Sequence, residues 1–358
     1  MRVTADRAPM AYTGGQAHYS FGMMMAVHRG GLPVSRRRFM QGAGVAGLGL
    51  LTGCGRWPWQ AQQPAKMARI GWLAFDPRTA WYEAFRQSLH ALGYVEGQHV
   101  VIEARGGDGR IDRLPEFAAE LVALPSDVIV TATATDAQAA RRTTSTIPIV
   151  FATSADPVGQ GLVASLARPG GNVTGLSTLA DQLAGKRLEL LKGSSPDLSR
   201  VGLVWNTVAQ GLRWQETQAA AHALGVEFRL LELHEPGQFS DVADVVIREQ
   251  INGLIVLGGT RPYLKQLLDF TAANRLPAMY PQREFVEAGG LMSYAPDFSE
   301  LFRRTASIVD KILKGTTPAN LPVEQPMTFE FVINLKTAQA LGLTIPQHVL
   351  LQATEIIQ

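Results

Sequence analysis

Hydroxyls, amides and isolated charges follow short apolar runs at six places in this 358-residue chain. Asp76 and Thr79 come after the first run, Thr133, Thr135 and Asp136 after another, and Ser154 and Asp156 after a third. Asn206 with Thr207, Thr260 with Arg261, and Gln282 with Arg283 and Glu284 complete the set. Groups of these types orient a small polar ligand through hydrogen bonds and single ion pairs, without breaking bonds in it. They also cap helices and form turns, a role that suits Thr135, Asp136 and Asp156. Trp81, Tyr82 and Trp205 have the size to flank a ligand's apolar part or to line a core.

Reactive constellations are missing. His90, His99, His222, His234 and His348 show no His-x-x-x-His spacing and adjoin no carboxylate cluster, so zinc hydrolysis lacks its ligands. There is no Gly-x-Ser-x-Gly elbow and no Gly-x-x-x-x-Gly-Lys-Ser/Thr phosphate loop. Paired carboxylates for glycoside cleavage are brought together by folding, and nothing in the spacing points to them. Cys54, the single cysteine, rules out a disulfide framework, a zinc ribbon and a cysteine-pair redox centre. No enzymatic turnover, metal or cofactor is expected.

Cys54 finds its explanation in what precedes it. Ser35-Arg36-Arg37-Arg38-Phe39-Met40-Gln41 leads into a weakly apolar run from Gly42 to Leu51, and Leu51-Thr52-Gly53 immediately precedes the thiol. Arg36 and Arg37 before a phenylalanine and a mild apolar stretch resemble a twin-arginine export signal. The small residues before Cys54 resemble a lipobox, in which the thiol is acylated and becomes the new N-terminus. Gly42-Ala43-Gly44-Val45-Ala46-Gly47 fits a dinucleotide fingerprint by spelling only, because no strand feeds it. Residues 1–53 are therefore read as the export signal and 54–67 as a tether, with Met23, Met24 and Met25 as alternative starts. The formal charge of +2 is concentrated there: six Arg and one Asp lie in residues 1–53, leaving 27 basic and 30 acidic side chains beyond. No nucleic-acid footprint remains.

The elements that must carry the six polar groups alternate strand and helix. Ala68–Ala74, Val100–Ala104, Asp127–Thr131 and Ile147–Phe151 read as strands, with helices over Trp81–Leu92, Ile111–Leu124 and Asp136–Thr143 between them. After a glycine-rich joint at Pro169–Gly175 the rhythm restarts. Strands are expected at Val201–Trp205, Glu227–Leu233, Gly253–Leu257 and Pro277–Tyr280, with helices at Leu212–Leu224, Phe239–Glu249 and Tyr263–Asn274. An extended Gly289–Ala295, a helix Phe298–Leu313, an extended Phe329–Ile333 and a short helix Leu335–Leu341 follow. Continuous apolar strands separated by helices imply an α/β architecture with parallel sheets covered on both faces. Hydrophobic residues at 46% and charged residues at 18% fill a sizeable core, and the length calls for two domains. The expected lobes are 68–174 plus about 291–318, and 175–290 plus about 319–358, joined by three crossings that act as a hinge. Ligand sites in such sheets lie beyond the carboxyl ends of the strands.

Three stretches have a collective signature: Ile147–Phe151 with Ser154-Ala155-Asp156-Pro157-Val158-Gly159-Gln160-Gly161-Leu162-Val163, Leu166–Gly175 with its Pro-Gly-Gly-Asn-Val-Thr-Gly, and Glu284–Tyr294. Arg275–Tyr280, Val309–Gly315 and Ile333–Ala338 agree with them. From Ala68 to the C-terminus the chain resembles the ABC-transporter substrate-binding family that includes the tryptophan/tyrosine-type binding proteins. The resemblance implies a type I periplasmic-binding-protein-like fold, two Rossmann-like lobes with a three-strand hinge and a ligand clamped between. It places Thr133, Thr135, Asp156 and Asn206 on loops that hold a ligand's amino and carboxylate groups. One departure stands out, since Gly258–Pro262 lacks an acidic residue to receive an α-ammonium, and Arg261 there favours an anion.

The reading is a solute-binding lipoprotein of an ABC importer that captures a small polar molecule, an amino acid or related compound, by hinge closure. Its ligand-binding set is Asp76, Thr133, Thr135, Ser154, Asp156, Asn206, Thr260 and Arg283. Its partners are a permease with its ATPase and, through lipid on Cys54, a membrane facing the periplasm or cell exterior; a monomer is expected. Glu83, Glu216 and Asp181 are either contacts for transporter arginines or ordinary solvated charge. The alternative is a membrane-anchored ligand sensor reporting to a signalling partner.

Overall fold

The structure is a computed structural model describing residues 67–77, 79–106, 111–180, 182–206, 214–233 and 239–358. All belong to one compact unit, Gln62–Gln358. Arg36, Arg37, Cys54, Asp181 and Thr207 lie outside the described residues.

Alternating strands and helices build the first lobe. Its elements are β1 (Ala68–Ala74), α1 (Ala80–Ala91), β2 (Val100–Gly106), α2 (Leu114–Ala123), β3 (Val128–Thr131), α3 (Ala134–Thr143), β4 (Ile149–Ser154) and β5 (Val173–Ser177). The strands form a parallel sheet in the order β2-β1-β3-β4-β5. Successive side chains point to opposite faces, so Ile70, Trp72, Val128, Val130 and Val150 enter one apolar cluster. Leu73, Ile129, Ile149 and Phe151 enter another, with α2 and α3. Burial on both faces is why these strands read as unbroken apolar runs.

β5 begins inside the segment expected to be only a joint and runs two residues past it. It pairs with β4, Ile149 opposite Val173 and Phe151 opposite Gly175. Gly175 permits the pairing, because a Cβ there would sit 2.0 Å from the Phe151 carbonyl oxygen.

The second lobe comprises α4 (Ala184–Ser194), β6 (Arg200–Asn206), α5 (Trp214–Ala223), β7 (Glu227–Leu233), α6 (Phe239–Arg248), β8 (Gly253–Val256), α7 (Leu264–Ala273), β9 (Ala278–Tyr280), α8 (Arg283–Glu287) and β10 (Met292–Pro296). After α9 (Phe298–Leu313) come β11 (Phe329–Asn334), α10 (Leu335–Ala340), α11 (Gln347–Leu350) and β12 (Glu355–Ile357). The sheet order is β12-β11-β10-β9-β8-β6-β7, and only the β10–β11 pair is antiparallel.

α9 belongs to the first lobe. Phe302, Ala306 and Val309 join Ile70, Trp72, Phe85 and Leu89 in one cluster, and the Tyr94 hydroxyl donates to Asp310 Oδ1 at 2.8 Å. The return was expected near residue 291, yet β10 is held in the second sheet by pairing with both β9 and β11, so the crossing comes after Pro296. Asp297 then caps α9, accepting from the Glu300 N–H at 2.9 Å. The outward crossing also comes late. Thr174 Oγ1 donates to the Leu321 carbonyl at 2.7 Å, and the Glu324 N–H donates to the Gly175 carbonyl at 2.9 Å, tying Leu321–Glu324 to the edge strand β5. With the passage after β5, the chain crosses three times between the lobes. Among the described residues no helix is long and apolar enough to cross a membrane.

Candidate functional site

The carboxyl ends of β1, β3, β4 and β5 face those of β8 and β9 across a cavity of about 270 Å³. This is the position where doubly wound sheets accept ligands. One wall is polar. Ala134, Thr135 and Asp136 form the first turn of α3, and its N-cap, Thr133, lines the same wall. Ser154, Thr153 and Thr178 extend it from β4 and from the segment after β5. Trp81, Leu114, Phe285 and Phe298 supply apolar surface. Such a division suits a ligand with a polar head and an apolar body.

Most hydroxyls on this wall are already engaged. Ser154 Oγ donates to Gln160 Oε1 at 2.6 Å, Thr153 Oγ1 to the Ala132 carbonyl at 2.8 Å, and Thr178 Oγ1 to the Ser154 carbonyl at 3.3 Å. Thr260, fully buried, donates to the Leu257 carbonyl at 2.8 Å. These bonds fix rotamers and so pre-shape the wall.

Asp136 is the most perturbed group at the site. A capping box binds it to Thr133: its Oδ2 accepts from the Thr133 N–H and Oγ1, both at 2.8 Å, while the Asp136 N–H donates to Thr133 Oγ1. Its other oxygen, Oδ1, is buried without a hydrogen-bond partner among the described residues. Burial outweighs the two Thr133 bonds and pushes the carboxyl up to about 7.

Two cations enter from the second lobe. Arg187, on α4 and only 4% exposed, donates from Nε to the Tyr294 carbonyl at 2.8 Å and lines the cavity. Arg261 lies at the mouth, its guanidinium carbon 5.3 Å from the centroid of the Trp81 ring. That ring is stacked in turn on Phe302 and Phe298.

Of the residues expected to bind ligand, Asp76, Thr133, Thr135, Ser154 and Thr260 line the cavity, as do Thr79, Gln282 and Trp81. Two do not. Asp156 uses Oδ1 to accept the Gly159 N–H at 2.8 Å and so closes the turn after β4. Arg283 is held on the far side of Pro296 by Glu287, Glu330 and Glu355 at 2.9, 3.1 and 2.9 Å. Asn206 ends β6, and its side chain lies outside what is described. Tyr82 packs against Trp72 rather than lining the cavity, the two rings tilted at 54° with centroids 4.9 Å apart. Trp205 packs at the edge of the second lobe's core. Glu83 is exposed and paired with Arg86, and Glu216 is exposed.

Arg187 is the residue that sequence reasoning missed. It sits in α4 among Leu188, Leu190 and Leu191, all buried. A lone arginine on the apolar side of such a helix is the signal that could have found it, because a buried guanidinium needs partners.

Two α/β lobes with largely parallel sheets, three crossings and a ligand-sized cavity between strand ends define the two-lobed class of solute-binding proteins. The chain belongs to the family described as ABC transporter substrate binding protein, whose sequence profile matches residues 67–357. A tyrosine-binding protein of Clostridioides difficile (strain R20291) is 25% identical over 320 residues, covering 84% of this chain and 90% of that protein. Two solved structures are similar at a TM-score of 0.76, each covering 81% of this chain and 100% of the other. One is the ABC domain in complex with L-Trp from Streptococcus pneumoniae, 28% identical, and the other a conserved domain protein from Vibrio cholerae, 27% identical.

Proposed function

We propose that the protein is the solute receptor of an ABC importer and that its cargo is an α-amino acid with an apolar, aromatic side chain. The observation that carries this reading is the division of the cavity. The first turn of α3, with Thr133, Thr135 and Asp136, confronts Arg187 across a space flanked by Trp81, Phe285 and Phe298. Backbone N–H groups at a helix start and a guanidinium both favour a carboxylate. Aromatic walls favour a ring. The relatives named for tyrosine and crystallised with L-Trp support the same choice.

Ligand capture then proceeds by rotation about the three crossings, since a ligand that touches both lobes stabilises their closed arrangement. The closed form docks on a permease with its ATPase. Export through the Arg36-Arg37 signal and acylation of Cys54 hold the receptor, as a monomer, at the outer side of the membrane. The test is native mass spectrometry of protein purified without added ligand, followed by thermal melts against the twenty amino acids and a panel of sugars and organic acids. A retained aromatic amino acid that raises the melting temperature supports the reading. Absence of any shift across the whole panel refutes it.

A further inference from the structure

Asp136 is 1% exposed, lines the cavity and has one carboxylate oxygen satisfied twice by Thr133. The other, Oδ1, meets no donor among the described residues. An acceptor buried without a donor is costly in a cavity wall and is relieved only by water or by something that enters the cavity. The capping box accounts for Oδ2; it leaves Oδ1 unexplained. A neutral Asn or Gln would close the same box.

We infer that Asp136 Oδ1 is the receptor for a protonated amine of the cargo, so that an amine-bearing ligand is selected over its deaminated analogue. The inference deepens the amino-acid reading above and rests on it. An ammonium placed against Oδ1 supplies both the missing donor and a compensating charge. It also answers the departure at Gly258–Pro262, where no acidic side chain stands to receive an amine. The acidic partner comes from the opposite lobe, while Arg187 and the start of α3 face the carboxylate.

The charged surroundings agree. Asp76, Arg187 and Arg261 share the cavity with Asp136. Glu116 and Glu120 on the adjoining α2, and Arg141 and Arg142 at the far end of α3, are exposed to solvent. β3 and β4, which flank α3, carry no charged residue. With the carboxyl pushed up to about 7 in the unliganded protein, amine binding must expel the proton that Asp136 carries in mildly acidic solution. Affinity is therefore full above about pH 7 and falls as pH drops below it, approaching tenfold per unit.

The probes are L-tryptophan and indole-3-propionate, which differ only in the amine. Titration calorimetry of the wild-type protein is expected to show a preference of at least about 30-fold for tryptophan. In two buffers of different ionisation enthalpy at pH 6.5, it should also show release of more than half a proton per site. Asp136→Asn retains an acceptor for Thr133 while presenting an amide N–H₂ to the ligand, and is expected to abolish both the preference and the proton release. Carbon-13 NMR of the Asp136 carboxyl in the wild-type protein, with and without tryptophan, gives the same answer without a variant. A titration near pH 7 should disappear on binding. Retention of the amine preference in a folded Asp136→Asn, or a carboxyl signal unaffected by tryptophan, overturns the inference and leaves the importer reading standing. Failure of the wild-type protein to bind any amino acid, while it binds other solutes, removes both.

Discussion

The Arg261 guanidinium carbon lies 5.3 Å from the Trp81 ring centroid, one lobe's cation over the other lobe's aromatic ring. Arg261 begins a single 3-10 turn after β8, and Trp81 sits in the first turn of α1. The contact joins the two lobes, and both residues line the cavity.

Cation–π pairs at partly exposed positions contribute about 0.5–1 kcal/mol. Arg261→Ala is accordingly expected to weaken ligand binding about two- to fivefold, almost entirely through faster dissociation. Stopped-flow tryptophan fluorescence measures this. An unchanged off-rate would show that the contact plays no part in retention.

Arg187→Met removes the guanidinium while conserving much of the side chain's length. It leaves the Tyr294 carbonyl without its 2.8 Å donor, which costs about 1–3 kcal/mol of stability. Affinity for a carboxylate-bearing ligand should fall by at least about tenfold, whereas a decarboxylated amine such as tryptamine should lose little. Calorimetry with both ligands, alongside denaturant unfolding, separates the two effects.

In the unliganded protein Asp136 binds its proton more tightly when folded than when unfolded, with a value near 7 against the ordinary 3.8. Its contribution is fully present below about pH 4 and is lost as pH rises through 7, amounting to about 4 kcal/mol at most. Asp136→Asn should therefore gain stability relative to wild type between pH 5 and 8. Urea midpoints across that range provide the check, and parallel pH profiles for the two proteins would contradict it.

Gly175→Ala places a methyl group 2.0 Å from the Phe151 carbonyl oxygen and against the Phe151 ring. β5 must then separate from β4, and a loss of about 2–4 kcal/mol is expected. Because β5 also holds Leu321–Glu324, limited proteolysis should open the chain near both segments. A protein cleaved no faster than wild type would argue against that coupling.

The alternation that revealed both lobes was legible because the central strands β1, β3, β4 and β8 are buried on two faces while the helices between them bury one. α9 was read with its observed limits, since its apolar positions recur at helical spacing from Leu301 to Ile312 and Asp297 marks its start. β5 was hidden because a five-residue strand centred on Gly175 has too little side chain to announce itself. α4 escaped notice, and Arg187 with it, because most of its residues are buried or half-buried and its helical periodicity is weak. The cavity wall was legible at Asp76, Thr133, Ser154 and Gln282, polar residues at or just after strand ends. It was misread at Asp156 and Arg283, where the same residue types serve a turn and a glutamate cluster. Sequence order gives adjacency to a strand end but not the direction a side chain takes from it.

The placement of α9 governs how the polypeptide can be made. Phe302, Ala306 and Val309 complete the apolar layer beneath β1 and β3, so the earlier part of the molecule lacks one covering until residue 313 has left the ribosome. Neither half can mature as an independent nascent unit, and acquisition of native structure waits for nearly the whole message to be translated. A chain of this design is best suited to release first and fold afterwards.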